Sequence, residues 1–137
     1  MSTASRILIF AAAMLCMAGA PLRTEAPDMR ALIETAAKAI STGNADMLAQ
    51  HFSPTVEIDL LGEENFYSKP QASLLLRSFF VKHQPSDFSI AHEGLKEATA
   101  FVIGTLQAGD TFRVSIFIKT ESGRSYIHQL RVERSGR

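Results

Sequence analysis

Four strand-like runs follow one another through the second half of the chain: "DFSIAHE", "ATAFVIGTLQA", "TFRVSIFIK" and "SYIHQLRVE". Only short turns separate them. Gly109 stands first in a two-residue connection and suits a tight hairpin, and Ser122 and Gly123 make the next turn. Strands joined this way pair antiparallel, so the run predicts a four-stranded meander after Pro85. Gly104, in mid-strand, is the expected site of a bend or bulge. Such a sheet has an apolar face that the preceding residues must cover.

Those residues read mainly as helices. From Asp28, the positions Met29, Leu32, Ile33, Ala36, Ala37 and Ile40 form one stripe at helical spacing, with Arg30, Glu34 and Lys38 on the other side. Gly43 can stop that helix in a left-handed conformation, and Asn44 can cap a second, "ADMLAQHF", that buries Met47, Leu48 and Phe52. The segment "TVEIDLLG" alternates as a first strand, with Val56, Ile58 and Leu60 on one side and Glu57 and Asp59 on the other. "EENFY" leads back as a short paired strand. Ser68 and Gln71 then have capping-box spacing around Pro70, and Ala72, Leu75, Leu76, Phe79 and Phe80 form a wide apolar stripe on the helix that follows. This order is α+β: N-terminal helices packed in a strongly curved antiparallel sheet, a cone with a mouth, wrapped around the helix of Phe79 and Phe80.

The first residues have a different character. After Arg6, the run Ile7 to Ala20 carries no charge and ends in small residues, the pattern of a secretory signal peptide. It is shorter than the roughly 20 residues of a membrane-spanning helix, so no stable membrane insertion is expected after cleavage. Cleavage is expected after Ala18, which divides the chain into a signal peptide (1–18), a linker (19–27) and a single domain (28–135). Cys16 is the only cysteine and lacks the preceding small residues of a lipoprotein site. The cleaved chain then has no disulfide, thiol nucleophile or sulfur-ligated metal. Its location is expected to be periplasmic or extracellular. Fourteen basic residues balance fourteen acidic ones, so no overall field favours nucleic acid.

The helix–helix–strand unit "STGNADMLAQHFSPTVEIDL", the aromatic helix "FYSKPQASLLLRSFF", the hairpin "GTLQAGDTFRVSIFIK" and the closing "HQLRVE" together resemble the nuclear transport factor 2-like superfamily. Within it they are most similar to a secreted bacterial family known as domain of unknown function 4783. The resemblance implies a cone-shaped, cystatin-like fold over nearly the whole domain. The superfamily holds ketosteroid isomerases, dehydratases and many ligand-binding or dimerising domains, so the fold does not select a chemistry. Its isomerases pair a strand aspartate with a tyrosine and an acid, and neither that spacing nor that donor pair is present here.

The residues themselves offer few reaction motifs. Glu57 and Asp59 share a strand face, but it is opposite to the core and reads as solvated. The histidines His51, His83, His92 and His128 have no zinc-type spacing, and there is no Gly-x-Ser-x-Gly elbow or glycine-rich phosphate loop. No metal or cofactor is expected, and no catalytic residue is assigned. Tyr67, Phe79, Phe80, Phe112, Tyr126 and His128 are the expected lining of a pocket in the mouth of the cone, suited to a small apolar ligand. Arg113, Phe117, Ile127, Gln129 and Arg131 are the expected interface of a homodimer formed through the outer sheet face. The chain thus reads as an exported, non-enzymatic ligand-binding or protein-interaction domain. A cofactor-free isomerase or lyase, using His128, Tyr67 or Asp59 as acid-base group, and a structural dimer of the envelope are the competing readings.

Overall fold

The computed structural model describes residues 25–135, with side chains from Met29 onward. The expected signal peptide, Cys16 and the expected cleavage point lie outside the described residues. The elements run α1 (Glu25–Thr42), α2 (Ala45–Ala49), β1 (Phe52–Leu60), β2 (Glu63–Ser68), α3 (Lys69–Lys82), β3 (Asp87–Leu95), β4 (Thr99–Ala108), β5 (Asp110–Glu121) and β6 (Arg124–Arg134). One six-stranded sheet has the order β2-β1-β6-β5-β4-β3. The meander is present as β3 to β6. Every pair is antiparallel except β1 with β6, which is parallel. A hairpin forces its strands to run opposite ways; β1 and β6 are separated by α3 and the whole meander, so neither direction was imposed on their pairing.

Local signals account for the helix boundaries. Gly43 ends α1 with φ +70°, and the Asn44 side chain accepts from the Met47 amide at 3.0 Å. Helix α2 is shorter than its apolar pattern suggests: it stops at Ala49, and Phe52 is instead the first residue of β1, still fully buried. At the start of α3 the Ser68 hydroxyl accepts from the Gln71 amide while the Gln71 side chain accepts from the Ser68 amide. Pro70 occupies the first turn, where its missing N–H leaves no helical bond unmade. Helix α1 starts at Glu25, ahead of the expected Asp28.

The core lies on the concave face. Helix α1 crosses β3 to β6, whereas α3 packs along β1, β2 and α2, so the sheet closes around both helices rather than around α3 alone. Val102, Leu106, Phe112, Val114, Ile116, Ile118, Leu130 and Val132 meet Met29, Leu32, Ile33 and Ile40 of α1 and Leu76, Phe79 and Phe80 of α3. Each fully buried side chain of this size contributes about 1.5–3 kcal/mol over leaving it in water.

Three irregularities bend the sheet. On β1 the register with β6 shifts between Phe52 and Glu57, where Pro54 cannot donate to a ladder. On β3 it shifts between Ile90 and His92, opposite Gly104. A Cβ on Gly104 would stand 2.4 Å from the Phe88 ring and 2.7 Å from the Ser89 carbonyl oxygen, so glycine lets β3 close over β4. On β6 His128 is an extra residue, because Phe117 pairs with Gln129 while the adjacent Ile118 pairs with Ile127.

Two substitutions test these assignments. Gly104→Ala meets backbone as well as a ring and is expected to destabilise the domain by about 1–3 kcal/mol, seen as a lower urea midpoint at unchanged m-value. Ser68→Ala removes one half of the capping box and is expected to lower unfolding free energy by about 1 kcal/mol in the same assay.

Candidate functional site

The bulge at His128 decides which side chains reach the outer face. Up to the bulge, Ile127 faces inward opposite Ile118; beyond it, Leu130 and Val132 face inward opposite Ile116 and Val114. Strict alternation would have put Ile127 outside, and that expectation is corrected: Ile127 is 0 % exposed and belongs to the core. The extra residue moves the inward phase by one position, which alternation alone does not contain.

The cone is filled. Phe79, Phe80 and Phe112, expected around its mouth, are core residues. Phe79 meets Phe80 and Phe112 edge-on at ring distances of 5.8 and 5.3 Å, and the Arg134 guanidinium caps Phe112 at 5.4 Å. The space left between the two Phe rings of α3, Leu106, Val114 and Leu130 is about 10 Å³, scarcely the volume that a single water needs. Tyr67 pairs with Val56 and packs half-buried against this core. Asp59 lies on the opposite face and His128 turns away from the interior, so the three residues named for acid–base chemistry do not meet.

The outer face is organised in rows running across the strands. Following the pairings, one row reads Phe66, Glu57, Gln129, Phe117, Phe101 and Gly94. Phe66 is 64 % exposed and Phe101 39 %, with Phe117 and Gln129 half-buried between them. The Phe101 ring closes over Gly94, where an added Cβ would stand 2.4 Å from it. A groove of about 450 Å³ results, lined by Phe101, Phe117, Gly94, Lys96 and His128. Burial holds the His128 imidazole below its usual pKa, with Lys119 adding to the effect and Glu121 opposing it. The groove therefore presents a neutral ring near pH 7.

The next row reads Glu64, Asp59, Arg131, Ser115, Ile103 and His92. Arg131 Nε is 3.3 Å from Asp59 Oδ2, close enough for charge attraction, but it is buried without an aligned hydrogen-bond acceptor. The Glu57 carboxyl beside Glu64, first through a hydrogen bond and then through its charge, raises the Glu64 pKa. Ser115 is the one buried polar side chain among the described residues, and it faces outward beneath this row. Arg113, exposed, pairs across the strands with Glu133.

The structure thus joins Phe117, Gln129, Arg113 and Arg131 of the expected interface with His128 of the expected pocket, on one surface. It adds Phe101 and Phe66, which sequence reasoning missed. Alternation in "ATAFVIGTLQA" could have exposed Phe101, since its neighbours Ala100 and Val102 are the buried ones. Tyr126 lines a separate cleft with His51, beyond the start of β1. There burial, and secondarily Lys69, hold the His51 imidazole below its usual pKa.

Comparison with known proteins bears on the fold and the family. A DUF4783 family protein from Bacteroides uniformis is 26% identical, with 76% of this chain and 97% of that one aligned at a TM-score of 0.73. One from Bacteroides ovatus is 28% identical, over 75% and 94% of the two chains, at a TM-score of 0.72. An NTF-2 like protein of unknown function from Silicibacter pomeroyi, 17% identical, shares the fold over 80% of this chain and 94% of its own at a TM-score of 0.60. No protein of curated function matches the chain. The family described as Domain of unknown function (DUF4783) matches residues 33–133, more than half of the sequence, and the chain belongs to that family.

Proposed function

We propose that the chain is an exported, non-catalytic interaction domain that pairs with a second copy of itself through the outer face of its sheet. The observation that carries this reading is the transverse row of Phe66, Phe117 and Phe101, apolar rings left in water on a face whose opposite side is fully packed. Exposed aromatics rimmed by charge have the composition of an interface core. Gln129 and the buried Ser115 supply uncharged centre positions between them. Charge is also unevenly spread over the face: Glu57, Asp59 and Glu64 gather on β1 and β2, while Lys96 and Lys119 lie toward the other side, Lys119 within 3.7 Å of Glu121. A two-fold axis along the central strands turns the acidic side of one copy toward the lysines of the other, as a self-complementary contact requires. The filled cone supports a surface role over a ligand or an acid–base site in the interior.

Light scattering on the purified chain is expected to give twice the monomer mass, and Phe117→Asp is expected to raise the dissociation constant by about thirtyfold or more while the far-UV circular dichroism stays that of the wild type. A wild-type monomer at high protein concentration refutes the pairing. Export rests on the leader pattern of residues 1–18. Expression of all 137 residues in a Gram-negative host is expected to yield a periplasmic or secreted product whose N-terminal residue is Gly19. Retention of Met1 in a cytoplasmic product would overturn it.

A further inference from the structure

A cleft of about 290 Å³ opens where α1, the end of α2 and the β5–β6 hairpin converge, on the far side of Ile127 from the aromatic groove. Ala31, Leu32 and Thr35 form one wall, Gln50 and His51 a second, and the stretch from Gly123 to Tyr126 the third. The His51 carbonyl accepts from the Ile127 amide at 2.7 Å, which fixes the second wall to the third. Ser125 is tied to Thr120 by a hydroxyl pair at 2.8 Å and so belongs to the scaffold. What the cleft offers a ligand is then a set of donors: the Arg124 guanidinium, the Tyr126 and Thr35 hydroxyls, the Gln50 amide and the His51 ring.

Two features define the chemistry these donors suit. Arg124 Nη1 is 3.5 Å from the Tyr126 hydroxyl, so both groups stand on one side. Lys69 reaches the same rim, with Nζ 3.4 Å from the Gln50 carbonyl and its charge acting on His51. No aspartate or glutamate lines the cleft among the described residues, although acidic residues are as numerous as basic ones in the chain. Arg124 and Lys69 are the charged groups at its rim, with Glu121 paired across the hairpin from Arg124. Leu32 and Ala31 provide apolar surface beside it. The volume lies at the small end of ligand sites, which suits an occupant of about ten heavy atoms.

We infer that this cleft binds a small monocarboxylate with a short apolar chain: the carboxylate on Arg124 and Tyr126, with His51 as a further donor, and the chain against Leu32 and Ala31. An anion gains paired, charge-assisted hydrogen bonds from an arginine fork, and an apolar tail gains from leaving water. The inference is independent of the outer sheet face and of pairing.

The test is a titration of the chain, purified from cells expressing all 137 residues, with acetate, butyrate, hexanoate and octanoate, followed by amide chemical shifts. The expected result is a saturable shift confined to Leu32, Thr35, His51, Ser125 and Tyr126, stronger for hexanoate than for acetate. Hexanol and inorganic phosphate should each bind about tenfold more weakly or worse than hexanoate, the effect of losing one charge-assisted contact or the tail. Arg124→Gln, an exposed change at a turn, should weaken hexanoate by a similar factor while leaving the unfolding midpoint unchanged. Scattered or non-saturating shifts with all four acids, equal binding of hexanol or phosphate, or an unaffected Arg124→Gln variant would each overturn the assignment.

Discussion

Long antiparallel strands can cover a pair of helices only by bending, and a hydrogen-bonded ladder bends where its register is broken. In this domain β4 and β5 pair without interruption, while the bends fall on other strands: opposite Gly104 on β3, at His128 on β6, and around Pro54 on β1. Each break has its own chemistry: a missing side chain, an extra residue, a missing donor. Curvature from these three places allows one sheet to hold both α1 and α3 on its concave side. The interior volume follows from that curvature, and so does the set of side chains left outside.

The outer face inherits its arrangement from the same breaks. Without the extra residue at His128, Ile127 would leave the core and the parallel register of β1 with β6 would set different neighbours against Arg131. With it, Arg131 stands beside Asp59, and the carboxylates Glu57 and Glu64 crowd on the neighbouring strands. Three carboxylates against one arginine on a partly solvated surface are not a source of much folding stability. Their effect is on the surface itself, which gathers acid on β1 and β2 around Arg131 and sets Phe117 and Phe101 side by side on β5 and β4. That ordering comes from pairing across six strands, and no stretch of sequence shorter than the whole sheet contains it.

This difference in range explains what could be read in advance. Helix α3 was legible because Ser68, Gln71, Pro70 and its apolar stripe act within a few residues of one another, and the meander was legible because its turns leave little choice of partner. The end of α2 was less so, because Phe52 suits a helix stripe and a strand equally and its burial is decided by β6. Ile127 was assigned to the wrong face because a one-residue bulge belongs to a pair of strands and leaves no mark on either alone. Phe101 was passed over since β4 is apolar on both faces, which hides the alternation that exposes its ring. Phe117, Gln129, Arg113 and Arg131 lie beyond the reach of that error because they follow the bulge in register or face it across β5.

The mismatch in strand length has a consequence of the same kind. β5 and β6 run to 12 and 11 residues, and β1 to 9, beginning only at the level of Ile127. The hairpin tip therefore extends past the last strand that could pair with it on that side. An antiparallel sheet would normally fill such an edge with another strand or a covering helix. Here the turn after α2 fills it, with Gln50 and His51 reaching Ile127 through one backbone hydrogen bond. A turn covers an edge less completely than a strand does, and the gap that remains is the cleft beside α1. The groove and the cleft thus both arise from breaks in the ladder: the groove from the residue added at His128, and the cleft from the strand that starts late. Large aromatic side chains fill the interior between the described helices and the sheet, and the open spaces, cleft and groove, are left at the edge and back of that sheet.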